Sequence, residues 1–224
     1  MNWEEVKTTG GAKVPGALSN HSGVVHGDKM YLYGGSKDSG DSNDVMYLLD
    51  LQKYRWEVVE QVGEVPSTRD EHSTSLYENS SMIVFGGFEA GERVNTIFRF
   101  HFAAKKWEQV KAKAGSPLPE PRAGHSSVIY KDTLVIFGGK NGENEKLNDV
   151  WAFSFTTLTW AQYQKNESKE GAPLPRSGHS SSISGQYMIV FGGILDVTKE
   201  LDDMMIYDLE QKRWTQLFEG LNTV

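Results

Sequence analysis

Apolar residues along this chain fall in short, evenly spaced runs. Four share one form, Met30–Tyr33, Met82–Phe85, Leu134–Phe137 and Met188–Phe191, and each ends on a diglycine. A run of four apolar residues closed by glycine has the length of a strand. Being apolar at every position, it must have sheets packed above and below it. Further along, the positions nine, seven and five residues before Trp56, Trp107, Trp160 and Trp214 form one alternating face. They read Tyr47, Leu49 and Leu51; Phe98, Phe100 and Phe102; Trp151, Phe153 and Phe155; Met205, Tyr207 and Leu209. A period of two with one apolar side predicts a strand with one buried face. Ahead of each four-residue run lies a short strand of small residues that opens on His21-Ser22, His72-Ser73, His125-Ser126 or His179-Ser180.

These landmarks keep one period. The His-Ser pairs are separated by 51, 53 and 54 residues, the diglycines at Gly34, Gly86, Gly138 and Gly192 by 52, 52 and 54, and the tryptophans by 51, 53 and 54. A spacing near 50 residues held by three landmarks predicts a repeat architecture in which each unit is a four-stranded antiparallel meander. Sheets that stack through both faces, narrow where the small residues crowd and wide at the tryptophans, close radially as an all-β propeller. The units are expected over 14–60, 64–111, 117–164 and 171–218, giving four complete blades. Trp3 stands 53 residues before Trp56, so residues 1–8 are expected to be an orphan outer strand of a fifth, incomplete blade. The chain is therefore expected to be a segment of a longer protein or to lack a closed ring of its own, with open blade faces that drive self-association.

Diglycine after an apolar strand, an aromatic seven residues before a tryptophan, and Arg-x-x-His-Ser on the inner strand resemble the kelch-repeat family. The variant with Pro-x-Pro-Arg-x-Gly-His-Ser and Asn-Asp before the third strand is matched best at Pro119–Ser127 and Pro173–Ser181. The resemblance covers essentially the whole chain and implies a kelch-type β-propeller. It says little about biochemical role, because function resides in sites rather than folds. The first repeat departs from the pattern: Leu18 replaces the arginine, Leu49 the third-strand aromatic, and one extra residue between Asn43 and Asp50 suggests a bulge.

Composition removes several chemistries. The 224 residues contain no cysteine and carry a formal charge of −7. Thiol catalysis, disulfides and cysteine-ligated zinc are excluded, and nucleic-acid binding is disfavoured. No apolar stretch reaches membrane-spanning length and the first residues lack an apolar signal region, so a cytoplasmic protein is expected. Kelch enzymes of the galactose-oxidase type need a cysteine joined to tyrosine beside copper, which this chain cannot supply. The iron-dependent nitrile-specifier type uses Glu-x3-Asp-x3-His. The nearest match is Glu64, Thr68 and His72, which lacks the middle carboxylate, and a facial metal site short of one ligand loses most of its affinity.

The remaining reading is a non-catalytic protein–protein interaction module, an adaptor or scaffold without a cofactor, with a metal-dependent kelch enzyme as the alternative. Four of the histidines recur at one repeat position and suit a frame role through backbone hydrogen bonds, or else a ring of metal ligands; His26 and His101 are off register and expected to be exposed. Arg69, Arg122 and Arg176 each precede an inner-strand histidine by three residues. They suit a frame that pairs with a neighbouring acid, or a channel mouth that grips a carboxylate or phosphate. Loops between second and third strands, 36–42, 88–94, 140–147 and 194–201, vary while the frame repeats, as recognition surfaces do. The expected partner-binding set is Arg69, Arg122 and Arg176 with Arg93, Lys140, Asn141 and Lys146 of these loops, and the expected partner a protein or acidic peptide.

Overall fold

A computed structural model describes residues 3–167, 171–218 and 220. It contains four sheets of antiparallel meanders. The strands of blade 1 are Ser22–His26, Lys29–Tyr33, Met46–Asp50 and Arg55–Val59. Blade 2 is built from Ser73–Tyr77, Ser81–Phe85, Ile97–His101 and Lys106–Val110. Blade 3 has Ser126–Tyr130, Thr133–Lys140, Lys146–Ser154 and Thr159–Gln164. Blade 4 has Ser180–Ser184, Tyr187–Asp196, Lys199–Asp208 and Arg213–Phe218. In each sheet the strands lie side by side in chain order. The turns into the outer strands put Tyr54, Lys105, Leu158 and Lys212 in the left-handed region, with φ of 50, 50, 57 and 52°. This is the conformation by which a short hairpin loop rejoins its strand. In blades 1 and 4 the carboxylates of Asp50 and Asp208 hold this turn by accepting two backbone N–H groups each.

The inner strands pack on one another in order, first on second, second on third, third on fourth. Three apolar cores lie between consecutive blades. Tyr31, Tyr33, Met46 and Leu48 of blade 1 meet Met82, Phe100, Phe102 and Trp107 of blade 2. Ile83, Phe85 and Ile97 meet Leu134, Ile136, Trp151, Phe153 and Trp160. Val135, Phe137, Val150 and Ala152 meet Met188, Met205, Tyr207 and Trp214. The alternating face of the third strand therefore points at the preceding blade, while the second strand contributes to both sides, as its apolar run requires. Blade 1 has its own cluster, Leu32, Leu49 and Trp56 with Leu18, Met30 and Tyr47, which no other blade joins. At the opposite end, Tyr187, Phe191 and Phe218 are exposed by 44, 47 and 48%.

Three local expectations are corrected. The outer strand expected over 1–8 is not formed by the described residues 3–8, which carry no strand, and Trp3 is 100% exposed; no third strand lies beside them to pair with. Thr9 instead makes a parallel bridge to Arg55 on the outer strand of blade 1. The segments expected as loops in blades 2, 3 and 4 are hairpin arms: in blade 2 Phe88–Glu89 pairs with Glu92–Arg93, and in blades 3 and 4 the second and third strands continue through the diglycine to pair Lys140 with Lys146 and Asp196 with Lys199. The extra residue of blade 1 makes no bulge in the third strand, which pairs regularly over Met46–Asp50. It is absorbed just before, where the buried Asn43 amide donates to the carbonyls of Gly34 and Val45. Among the described residues no helix is long and apolar enough to cross a membrane.

Candidate functional site

Each interface between blades repeats one set of contacts, and this set claims most of the recurring polar residues. The inner-strand histidine shares a hydrogen bond with the serine of the preceding blade: His72 with Ser22 at 2.5 Å, His125 with Ser73 at 2.8 Å, His179 with Ser126 at 2.8 Å. These three rings thus meet a side chain one blade back, beside the backbone of that same preceding blade at Tyr33, Phe85 and Phe137, while His21 bonds the carbonyl of Leu18, the backbone contact that the sequence suggested. Burial, reinforced by the adjacent arginine, holds His72 and His179 down to about 3 and His125 well below the usual imidazole range. All three rings are neutral at pH 7. The aromatic that ends each second strand wedges between the next blade's histidine and tryptophan. Tyr33 lies 5.2 Å from His72 and 5.1 Å from Trp107, Phe85 5.1 and 5.3 Å from His125 and Trp160, and Phe137 5.0 and 4.8 Å from His179 and Trp214.

The diglycine is required by the same contacts. A Cβ on Gly34, Gly86 or Gly138 would stand 2.5, 2.7 or 3.0 Å from the Cε1 of the next blade's histidine. The second glycine donates its N–H to the next blade's arginine carbonyl, Gly35 to Arg69, Gly87 to Arg122 and Gly139 to Arg176. Both glycines also adopt positive φ, so neither strain nor space admits another residue.

The arginines are frame, which corrects three of the seven residues of the expected binding set. Arg69, Arg122 and Arg176 are 1, 0 and 0% exposed. Each donates through Nη1 to the carbonyl of its own blade's first glycine, Gly86, Gly138 or Gly192. Arg122 forks onto both oxygens of Asp149 at 2.7 and 2.9 Å, and Arg176 onto Asp203 at 2.6 and 2.9 Å. Blade 2 has Thr96 where these aspartates stand, and Arg69 takes Thr96 and the arm residue Glu89 instead. No partner carboxylate can reach guanidinium groups so enclosed. The sequence signal for the two aspartates was available, since each lies 27 residues after its arginine. Blade 1, with Leu18, has no such pair, and Asp44 turns outward to Lys37.

The nearest match to a metal-binding pattern in the sequence does not converge. Glu64 lies at the outer strand of blade 2, where its carboxylate accepts the N–H of Gln109, whereas His72 sits on the inner strand. Among the described residues no three of His, Asp and Glu are grouped to hold a metal ion. The off-register histidines are only half-buried but are not free: His26 stacks on Phe102 at 4.5 Å, and His101 bonds Glu108 at 3.0 Å.

At one mouth of the blades the arms meet the segments entering the inner strands. Those segments bridge to the arms at Asp70 with Phe88, Ala123 with Lys140, and Ser177 with Ile194. Beside them runs a ladder across all four blades, in which Glu71 N–H donates to Asn20 O, Gly124 N–H to Glu71 O and Gly178 N–H to Gly124 O. All four of these residues have positive φ. Asparagine and glycine tolerate this; Glu71, at φ 51°, does not without strain. Its carboxylate reaches across to Lys140 of the next blade, 2.8 Å from Nζ.

Lys140 lies directly opposite Lys146 on the blade 3 arm. Like charges facing across a strand pair repel. Lys140 is answered by Glu71, but Lys146 is half-buried and its ammonium bonds no acceptor among the described residues. Burial, and then the neighbouring Lys140, lower its pKa. Arg93 comes in from the blade 2 arm, donating to Gly142 O at 3.3 Å and to Asn144, while its Nε is buried without an acceptor. Asn141 belongs to the loop: 4% exposed, it accepts N–H groups of Glu143 and Glu145 and donates to Glu120. Of the expected set, then, Arg93, Lys140 and Lys146 are brought together. Lys140 and Lys146 line an open pocket of about 650 Å³ with Asn144, Pro175, Leu195, Val197 and one acid, Asp196. Lys140 also lines a second cavity, of about 370 Å³, at the ladder.

Residues 1–132 match a family model described as the KLHDC2/KLHL20/DRC7 Kelch-repeats domain, and residues 82–220 one described as the Attractin/LZTR1 beta-propeller. The chain is 34% identical over 203 residues to Kelch domain-containing protein 3 of Rattus norvegicus, covering 85% of this chain and 51% of that protein. It is 29% identical over 199 residues to the leucine-zipper-like transcriptional regulator 1 homolog of Drosophila melanogaster, covering 87 and 20%. To host cell factor 2 of Homo sapiens it is 30% identical over 233 residues, covering 93 and 28%. The chain thus spans at most about half the length of these relatives.

Proposed function

Because this chain belongs to the kelch-repeat β-propeller family, we propose that it is a non-catalytic interaction module, an adaptor or scaffold, that holds an acidic segment of a partner protein against the arms of blades 2, 3 and 4. The observation that carries this reading is Lys146. A half-buried ammonium set opposite Lys140 and lacking an acceptor is stabilised when a carboxylate arrives, which turns an unfavourable feature of the free protein into binding energy. Arg93 widens the basic stretch, and Pro175, Leu195 and Val197 give the pocket an apolar wall. Val197 is 97% exposed and available for contact. Hot spots have this form, a charged anchor beside apolar surface that can be closed off from water.

The test is fluorescence anisotropy with a labelled oligo-glutamate peptide, and an oligo-lysine peptide as control. Oligo-glutamate is expected to bind with an affinity that weakens as salt is added. Lys146→Gln is expected to cost about 1.5–3 kcal/mol of binding, the worth of a hydrogen bond to a charged group. Lys131→Gln, at an exposed ion pair with Glu210 away from the arms, should leave binding unchanged. Equal affinity of the wild-type and Lys146→Gln proteins would refute the reading.

A further inference from the structure

The pocket that holds the Lys146 ammonium is poor in free donors and contains an acid of its own. It lies between the arms of blades 3 and 4, with Lys140, Asn144 and Lys146 on one side and Pro175, Leu195, Asp196 and Val197 on the other. Lys140 is engaged by both oxygens of Glu71, at 2.8 and 3.0 Å. Arg93, from the blade 2 arm, directs Nη1 to Gly142 O and Nη2 to Asn144 Oδ1. Neither prong is open to fork onto an arriving anion. Among the described residues Lys146 is thus the pocket's one uncommitted ammonium.

The acid is Asp196. It sits at the turn of the blade 4 arm, where its Oδ1 accepts the N–H of Val197 at 2.6 Å and so orients the carboxylate. Lys199 stands opposite it across the arm but lines a different cavity, of about 220 Å³. Four other charges bear on Lys146: the cations Lys140 and Arg93 and the carboxylates of Glu71 and Asp196. Counted with Lys146 itself, three cations face two carboxylates and one positive charge is left over. Glu145, next to Lys146 in the chain, accepts from Asn141 instead and would only reduce that excess. One carboxylate neutralises it. At neutral pH a phosphomonoester carries close to two negative charges and three acceptor oxygens. It would set surplus negative charge beside Asp196 and find one free ammonium for all its oxygens.

We infer that Asp196, on the reading that Lys146 anchors the partner's acid, makes this pocket selective for a glutamate or aspartate side chain over a phosphorylated one. A like charge placed at a recognition site discriminates because it costs the wrong ligand more than the right one. Sites built for phosphorylated side chains converge arginines on the anion. Here the nearest arginine is tied to the arm and an acid stands in the cavity.

The test is displacement of labelled oligo-glutamate, at neutral pH, by two peptides blocked at both ends. They differ at one position, glutamate or phosphoserine, flanked by leucines to meet the apolar wall. In the wild type the glutamate peptide is expected to compete about tenfold better. Asp196→Asn keeps an oxygen for the Val197 N–H and removes the charge. It should strengthen phosphoserine more than glutamate and so narrow the gap. Glu210→Gln, which removes an acid paired with Lys131 away from the arms, should leave the gap as it is. Phosphoserine competing as well as glutamate in the wild type, a gap that Asp196→Asn leaves unchanged, or one that Glu210→Gln narrows equally would each overturn the inference alone. Failure of oligo-glutamate itself to bind would sink the reading of Lys146, and the selectivity with it.

Discussion

Arg122 and Asp149 form a two-pronged ion pair with the arginine 0% and the aspartate 5% exposed. Asp149 also accepts the indole N–H of Trp151 at 2.8 Å, so its charge is held by three donors. Removing one partner of a buried pair leaves the other charge uncompensated and typically costs about 3–5 kcal/mol. Arg122→Ala is expected to lower stability by that amount in urea titrations. Arg69→Ala should cost less, because its acid, Glu89, is 21% exposed and can turn to water. Equal losses would mean that the pair's enclosure is not what sets the cost.

The buried histidines make stability depend on pH. His72 and His179 have folded values near 3, against about 6.5 in an unfolded chain. A group depressed in the folded state binds its proton more readily when unfolded. Its contribution is therefore complete above about pH 6.5 and is lost as pH falls toward 3, at about 1.4 kcal/mol per pH unit for each ring. The urea midpoint is expected to fall steadily below pH 6.5. His179→Gln should lower it at neutral pH but flatten the dependence; an unchanged slope would show the ring is not titrating on unfolding.

The tryptophans should separate by position. Trp107 and Trp160 are 0 and 3% exposed between blades, and Trp3 is 100% exposed. Truncating either of the first two to alanine is expected to cost about 3–5 kcal/mol. Trp3→Ala should leave the denaturant midpoint unchanged.

Glu71 holds a left-handed backbone position that Gly124 and Gly178 fill in blades 3 and 4. Glu71→Gly is expected to relieve about 1–2 kcal/mol of strain while freeing Lys140. The variant should bind oligo-glutamate more tightly than the wild type, because Glu71 is the ion-pair partner of Lys140 and also acts on Lys146. Strain held at a recognition surface is a common trade, and tighter binding at unchanged or higher stability would display it.

The architecture was legible because its signals are repeated. The His-Ser, diglycine and tryptophan landmarks each report a contact that recurs at every interface, and the third-strand positions fall on the face they predict. The arginines were misplaced for a physical reason. A side chain at a turn can point to solvent or inward, and the direction here is set by an arm that folds back over it. That arm is written largely in charged and polar residues, Lys140 to Asn148, which carry no hydrophobic period. Its strand character comes from pairing with Ala123 and its own return, which a local pattern does not record. The same 27-residue offset joins Arg122 to Asp149, Arg176 to Asp203 and Arg69 to Thr96, so the spacing marked the place of each partner but, with threonine in blade 2, not its charge. Lys146 was among the expected residues, but that it faces Lys140 with no directly bonded acid, Glu71 and Asp196 acting on it only from nearby, is a property of register.

The connections between blades carry one more consequence. Val62 and Gly63 pair in parallel with Lys106 and Trp107, Gln61 receives the indole N–H of Trp107, and Thr9 makes the equivalent bridge to Arg55. In blade 3, Ser116 Oγ accepts the N–H of Trp160 and Lys113 donates to Leu158 O. The segments leading into blades 1, 2 and 3 thus lie along the outermost strand of the blade they enter and occupy amide groups that would otherwise face water. An exposed row of such groups is a template for another protein's strand and so for amyloid-like aggregation. Segments that look like mere spacers act here as chaperones of the rim, and shortening them would endanger solubility before it disturbed any core.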